Sequence, residues 1–173
     1  MLVAAAGFTG MVLETILILY YQVKHGVLYQ DIGLLLMSFM AGLALGAMII
    51  NRAMARPIAN RMLPQWYGIS LLIGFCFLCA LIGMGVTMSI SAGLVEISCF
   101  LAVTGFLVAG IFAYASLHEN DDQKNVISSL YSADLIGGCL GILLGSLILI
   151  PLAGMDVTTW GVLLLAAFSI LLL

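Results

Sequence analysis

Residues 65–95 contain no charged side chain, and the run is flanked by further apolar stretches with only short polar breaks between them. A helix of that length exceeds one crossing of a ~30 Å hydrocarbon core, so the run must divide. Gly83 and Gly85, followed by Thr87, Ser89 and Ser91, predict a tight turn near Gly85. Apolar segments of about 20 residues recur along the rest of the chain, which is helical rather than barrel patterning. The composition agrees: 64% of residues are hydrophobic and 8% charged, against ~25% charged in a soluble domain. Mean hydropathy is +1.27. The expected fold is therefore all-α, a polytopic membrane bundle, and the lipid bilayer is its first partner.

The expected spans are about residues 2–21, 33–50, 65–84, 87–116, 127–150 and 157–173, forming one transmembrane domain. The first has no basic leader and no A-x-A cleavage pattern, so it reads as a helix that stays in the membrane. Trp66 and Tyr67 are expected at the interface where the third span begins. The last span ends on three leucines, which suggests a fragment of a longer protein, or one half of it. Arg52, Arg56, Arg61 and Lys124 fall in even-numbered loops and Lys24 in an odd one. The positive-inside rule then places both termini and the arginine loop on the cytoplasmic side.

Against this apolar background, three acids stand out. Residues 128–154 carry Asp134 well inside a helix, and Tyr131, Asp134, Gly138, Gly141 and Gly145 recur at spacings of three and four, so they share a face. The first span repeats the pattern with Gly7, Gly10, Glu14, Leu17 and Tyr21. Small residues at that spacing let helices approach closely in lipid, as does the Gly42–Gly46 pair of the second span. An acid at membrane depth costs about 3 kcal/mol on insertion scales and marks a site or a buried pairing. Helical rise puts Glu14 roughly 18 Å and Asp134 roughly 12 Å from the cytoplasmic end, with Glu96 of the fourth span roughly 12 Å from the outer face. Three carboxylates near one level could converge on a cavity. They could equally be neutral, hydrogen-bonded packing groups.

Other chemistry is sparse. Five basic residues leave no nucleic-acid footprint. Cys76 and Cys79 form a CxxC inside an apolar span, and Cys99 and Cys139 are also intramembrane. Buried thiols in such places pack as small hydrophobes, and no metal-ligand set accompanies them. His25 and His118 fall in loops, so a bis-histidine haem between these helices is not expected. No cofactor, metal or catalytic constellation is expected.

The residues GFTGMVLETILI, LLMSFMAGLALGA and LYSADLIGGCLGILLGSLILIPLAG resemble the membrane domain of the spermidine synthase-like integral membrane proteins. Glu14 matches that family's first-helix glutamate, and Gly42 to Gly46 its GLALG-like phrase. Tyr131, Asp134, Gly137, Gly138, Gly141 and Pro151 match its tyrosine-bearing glycine helix. The resemblance covers roughly residues 7–154, strongest at the two ends. It implies a six-helix unit similar to half of a major-facilitator transporter, although the Asp-Arg-x-Gly core usual after that superfamily's second helix is not present. Many members fuse this part to a soluble aminopropyltransferase domain. This sequence has no strand-turn-helix with a glycine-rich loop, so it is not expected to be an enzyme. Two functions are expected in its place. One is a transporter-like module that binds a small cationic solute such as a polyamine, with a second membrane module completing it. The other is a membrane anchor docking a synthase-like partner or an electron-transfer complex. A bacterial-type plasma membrane is the expected location.

Overall fold

The computed structural model describes residues 2–26, 29–55, 63–88, 93–118 and 123–171. Of these, 98% are helical and none is in a strand. The helices in order are α1 (Leu2–His25), α2 (Tyr29–Ala55), α3 (Leu63–Thr87), α4 (Leu94–His118), α5 (Gln123–Leu144) and α6 (Ile150–Leu171). Five helical segments are long and apolar enough to cross a membrane: Val3–His25, Tyr29–Ile49, Gly68–Thr87, Leu94–Ser116 and Ser128–Ser169.

Local chemistry explains most of the boundaries. α1 stops at Gly26, whose φ of 85° is the left-handed cap that glycine takes without a Cβ penalty, and its N–H donates to the Gln22 carbonyl at 2.9 Å. α3 runs on through Gly85 to Thr87, so the tight turn expected near Gly85 does not occur there. A lone glycine costs a helix only about 1 kcal/mol, which burial of Ile82 and Val86 outweighs. The fifth expected span also differs from the structure. The helix does not end at Pro151; a π-helical turn, Gly145–Leu149, joins α5 to α6, and the Ile150 N–H donates to the Gly145 carbonyl. That wider turn shifts the hydrogen-bond register just before a residue that has no N–H to give. The break falls instead at Gly154, with φ 83° and ψ 165°. Asp156, expected in a loop, is inside α6.

α1 and α4 form the centre. α1 packs against α4, α5 and α6, α4 against α1, α2 and α3, and α3 against α6. Leu13, Ile16, Phe39, Phe75, Leu101 and Ile111 are among the fully buried core residues. The tightest seams are built on glycine. Gly42 and Gly46 of α2 rest on the main chain of Ala102 and Phe106 of α4, while Gly137 and Gly141 of α5 rest on that of Ala4 and Phe8 of α1. Residue numbers rise together in both seams, so each pair of helices is parallel. Backbones this close gain dispersion contacts and Cα–H···O contacts that larger residues would prevent.

These two seams are the same seam twice. Ala4, Gly7 and Phe8 of α1 correspond to Ala102, Gly105 and Phe106 of α4, each 98 positions on. Phe39, Gly42 and Gly46 of α2 correspond to Asp134, Gly137 and Gly141 of α5, each 95 positions on. Gly105 lies against Phe39 as Gly7 lies against Asp134. Gly10 and Val108, themselves 98 apart, touch each other, which puts a local two-fold axis between α1 and α4. Exchanging α1 with α4, α2 with α5 and α3 with α6 maps the principal helix contacts onto one another. α1 and α4 run antiparallel, since Leu17 and Tyr20 share a cavity with Ile97 and Phe100 while Gly10 meets Val108. The two three-helix halves are therefore inverted copies.

Candidate functional site

The site is built on one stripe of α1. Gly7, Gly10 and Glu14 follow at three and four residues, so their Cα–Cβ directions fall within about 60° of one another. Gly7 leaves room for Asp134: a Cβ there would lie 2.5 Å from the carboxyl Oδ1 and 2.8 Å from the main-chain oxygen of Asp134. Gly10 leaves room for Val108, 2.7 Å from where its Cβ would stand. Beyond those two contacts the stripe runs up to Glu14, seven residues from Gly7 and about 10 Å further along the axis.

Glu14 is 7% exposed. Asp134 is half-buried. Neither makes a hydrogen bond or an ion pair among the described residues. The Glu14 oxygens are not sealed either: Ser98 Oγ is the fully enclosed side-chain polar atom without a partner among the described residues. Side-chain hydroxyls nearby in sequence are committed to their own helices. Thr9 donates to the Ala5 carbonyl at 2.8 Å, Thr15 to that of Met11 at 2.8 Å, and Thr104 to that of Phe100 at 2.8 Å. α1 as far as Tyr21, and all of α4 and α6, contain no lysine or arginine. α5 carries Lys124 in its first turn, ten positions before Asp134; among the described residues neither carboxylate is paired with a cation, and a buried charge left that way is strongly disfavoured.

The local two-fold axis supplies a comparison within the molecule. The counterpart of Asp134 is Phe39 and that of Glu14 is Phe112. Phe39 is 1% exposed and lies with its ring edge 3.3 Å from where a Gly105 Cβ would stand. An aromatic side chain therefore fills the same packing position in the other half. The glycine seam does not need an acid.

The remaining expected residues separate into other roles. Glu96 does not lie a dozen ångströms into its helix. α4 begins at Leu94, so Glu96 is in its first turn and exposed, and its Oε2 accepts the Gly93 N–H at 3.2 Å. That is half of a capping box, a helix-start role. Glu96 also stands at a cavity of about 310 Å³ lined by Leu17, Ile82, Ile97 and Phe100, at the other end of α1 from Asp134. Tyr131 is exposed one turn before Asp134. Gly138 lies against Met11, and Gly145 against Val12, so both belong to the α1–α5 seam. Arg52 is exposed at the end of α2; Arg56 and Arg61 lie outside the described residues, as do the side chains of Trp66, Tyr67 and His118. Cys76 is half-buried and Cys79 buried, both as free thiols, and no group of three or more metal-ligating side chains occurs among the described residues.

One cluster escaped the sequence reading. At the C-terminal end of α1, the Tyr21 hydroxyl donates to Asp31 Oδ2 of α2 at 2.8 Å. The Tyr21 ring stacks on His25 with centroids 4.8 Å apart, and Lys24 Nζ stands 5.4 Å from the Tyr20 ring centroid. The signal was a paired-tyrosine motif next to two basic residues, typical of a membrane–water boundary. No protein-family model, curated protein or solved structure matches the chain.

Proposed function

We propose that this chain is a non-catalytic membrane module that binds, and with a second module moves, a small cationic solute, with Glu14 and Asp134 as the binding acids. The resemblance to the membrane part of the spermidine synthase-like proteins makes a polyamine the first solute to test. The arrangement of a major-facilitator half fits this reading. It would have six crossings, the segment Ser128–Ser169 turning back at Gly154; at 42 residues it is about twice the length one crossing needs. With Arg52, Arg56, Arg61 and Lys124 in even-numbered loops against Lys24 in an odd one, the positive-inside rule supports cytoplasmic termini, and a bacterial-type plasma membrane is the proposed location.

The observation that carries the proposal is Glu14: buried, unpartnered, and on the stripe that holds Asp134. Intramembrane acids without a protein partner belong, by default, to an ion or substrate path. The test is uptake of radiolabelled spermidine into proteoliposomes under an inside-negative potential. Glu14→Gln and Asp134→Asn are each expected to lower it by about tenfold or more, the equivalent of one lost charge-assisted contact. Wild-type uptake in both variants would sink the proposal.

A second reading, docking of a partner subunit, draws on the exposed residues Ser128, Ser129, Tyr131 and Ser132 of α5. These put a polar strip on the outside of a helix that otherwise shows leucine and isoleucine to lipid.

A further inference from the structure

At the membrane face where α1 and α3 end and α4 begins, these three helices leave a cavity of about 310 Å³ between them. That volume is at the low end for small-molecule sites. Leu17, Ile82, Val86 and Ile97 line it and are buried, whereas Leu81 and Met84 line it and are exposed, so it opens from the core toward the lipid side of α3. Water suits such walls poorly, because each molecule needs two to four polar partners. An alkyl chain needs none and gains dispersion contacts on every side. Gly85 of α3 adds to the space. It lines the cavity, and a Cβ built there would meet no atom within 4 Å. Gly42 and Gly137 admit a neighbouring main chain; Gly85 weakens its helix and admits no part of the protein.

Charge at the mouth selects the head of the occupant. Glu96 is a lining residue and exposed. Its Oε2 accepts the Gly93 N–H, and a carboxylate with about four acceptor sites can take further donors. Lys24 lies one turn beyond Tyr20, another lining residue, and its Nζ stands 5.4 Å from the Tyr20 ring centroid. An acid and a base therefore stand at one end of an apolar slot. We propose that this slot binds a zwitterionic phospholipid with a primary-amine head, phosphatidylethanolamine. The ammonium donates to Glu96, the phosphate faces Lys24, and the upper part of one acyl chain lies against Ile82, Ile97 and Phe100.

The other common heads fit less well. A choline head has no N–H to donate to a carboxylate, and a phosphoglycerol head brings a negative charge to Glu96 with no ammonium to offset it. The cavity spans Leu17 to Tyr20 on α1 and Glu96 to Phe100 on α4, about one helical turn or roughly 6 Å of rise. It therefore takes the methylenes nearest the glycerol, and the rest of the chain stays in the bilayer. Neither Glu14 nor Asp134 lines this cavity, so the lipid site stands apart from the proposed solute site.

Native mass spectrometry tests this on the full chain released from nanodiscs of phosphatidylethanolamine, phosphatidylcholine and phosphatidylglycerol in equal parts, with matched acyl chains. Wild type should retain phosphatidylethanolamine about tenfold over either of the others. Glu96→Gln, which keeps an acceptor for the helix start and loses the charge, should remove most of that preference. Glu96→Asp should restore it to within a few-fold, and Lys24→Gln should lower retention by a few-fold. Gly85→Leu grows a side chain into the cavity and should abolish retention, while helical circular dichroism and thermal unfolding stay at or above the wild-type level. Equal retention of the three lipids would overturn the proposal. So would wild-type retention in Glu96→Gln, Lys24→Gln or Gly85→Leu, or capture of free O-phosphoethanolamine in place of the lipid. Spermidine uptake reads the other site, so the two proposals stand or fall separately.

Discussion

Glu14, Asp134 and Glu96 look alike in the sequence, three acids in apolar runs, and the structure gives them different physical situations. Glu96 is solvated and caps a helix, so its charge costs little and its contribution is the modest one of an N-terminal hydrogen bond. Glu14 and Asp134 are packed against helices with nothing to pair with. The prediction for Glu96 follows: Glu96→Gln keeps the capping acceptor and should leave spermidine uptake at the wild-type level, with unfolding shifted by less than about 1 kcal/mol. A large loss of uptake would return Glu96 to the site. What hid this distinction in the sequence is helix starts. Thr87 and Leu94 differ by two turns, and whether Glu96 is deep or at a boundary depends on which of them begins α4.

Glycines at spacings of four were the most informative signal for how helices meet. Gly42 with Gly46, and Gly138, Gly141 and Gly145 with Gly7 and Gly10, were all legible as close-packing faces because a missing side chain has one main use in lipid. Their partners were not legible, since a glycine face does not say which helix covers it. The parallel seams α1–α5 and α2–α4 allow a paired prediction. Gly137→Val and Gly42→Val each place a branched side chain against a carbonyl, of Ala4 and of Ala102 respectively. Each should destabilise by roughly 1–3 kcal/mol in denaturant unfolding in micelles, and the two should agree closely because they occupy equivalent places. A loss confined to one of them would mean that the seams are not equivalent. Pro151 misled for a different reason. A proline after an apolar run normally ends a helix, but here the π turn at Gly145–Leu149 precedes it, and periodicity carries no signature of such a turn.

The molecule as a whole is two inverted three-helix halves, and that relation was present in the sequence without being readable there. The motif AAAGF at residues 4–8 returns as AVTGF at 102–106, and GLALG at 42–46 returns as GGCLG at 137–141. A few small residues in a background of leucine and isoleucine do not rise above chance until contacts show them in the same places. Once aligned, the halves separate what the scaffold requires from what has been added to it: Phe39, 1% exposed, serves the packing where Asp134 stands in the other half, and a partly buried Phe112 stands where Glu14 does. Groups added for function at such positions usually cost stability. The unfolding free energy of the double variant Glu14→Gln, Asp134→Asn is therefore the most direct measurement. If the acids are a site set into a self-sufficient scaffold, the double variant is at least as stable as wild type. If they hold the helices together, it loses about 2 kcal/mol or more, and the functional reading of both acids is wrong.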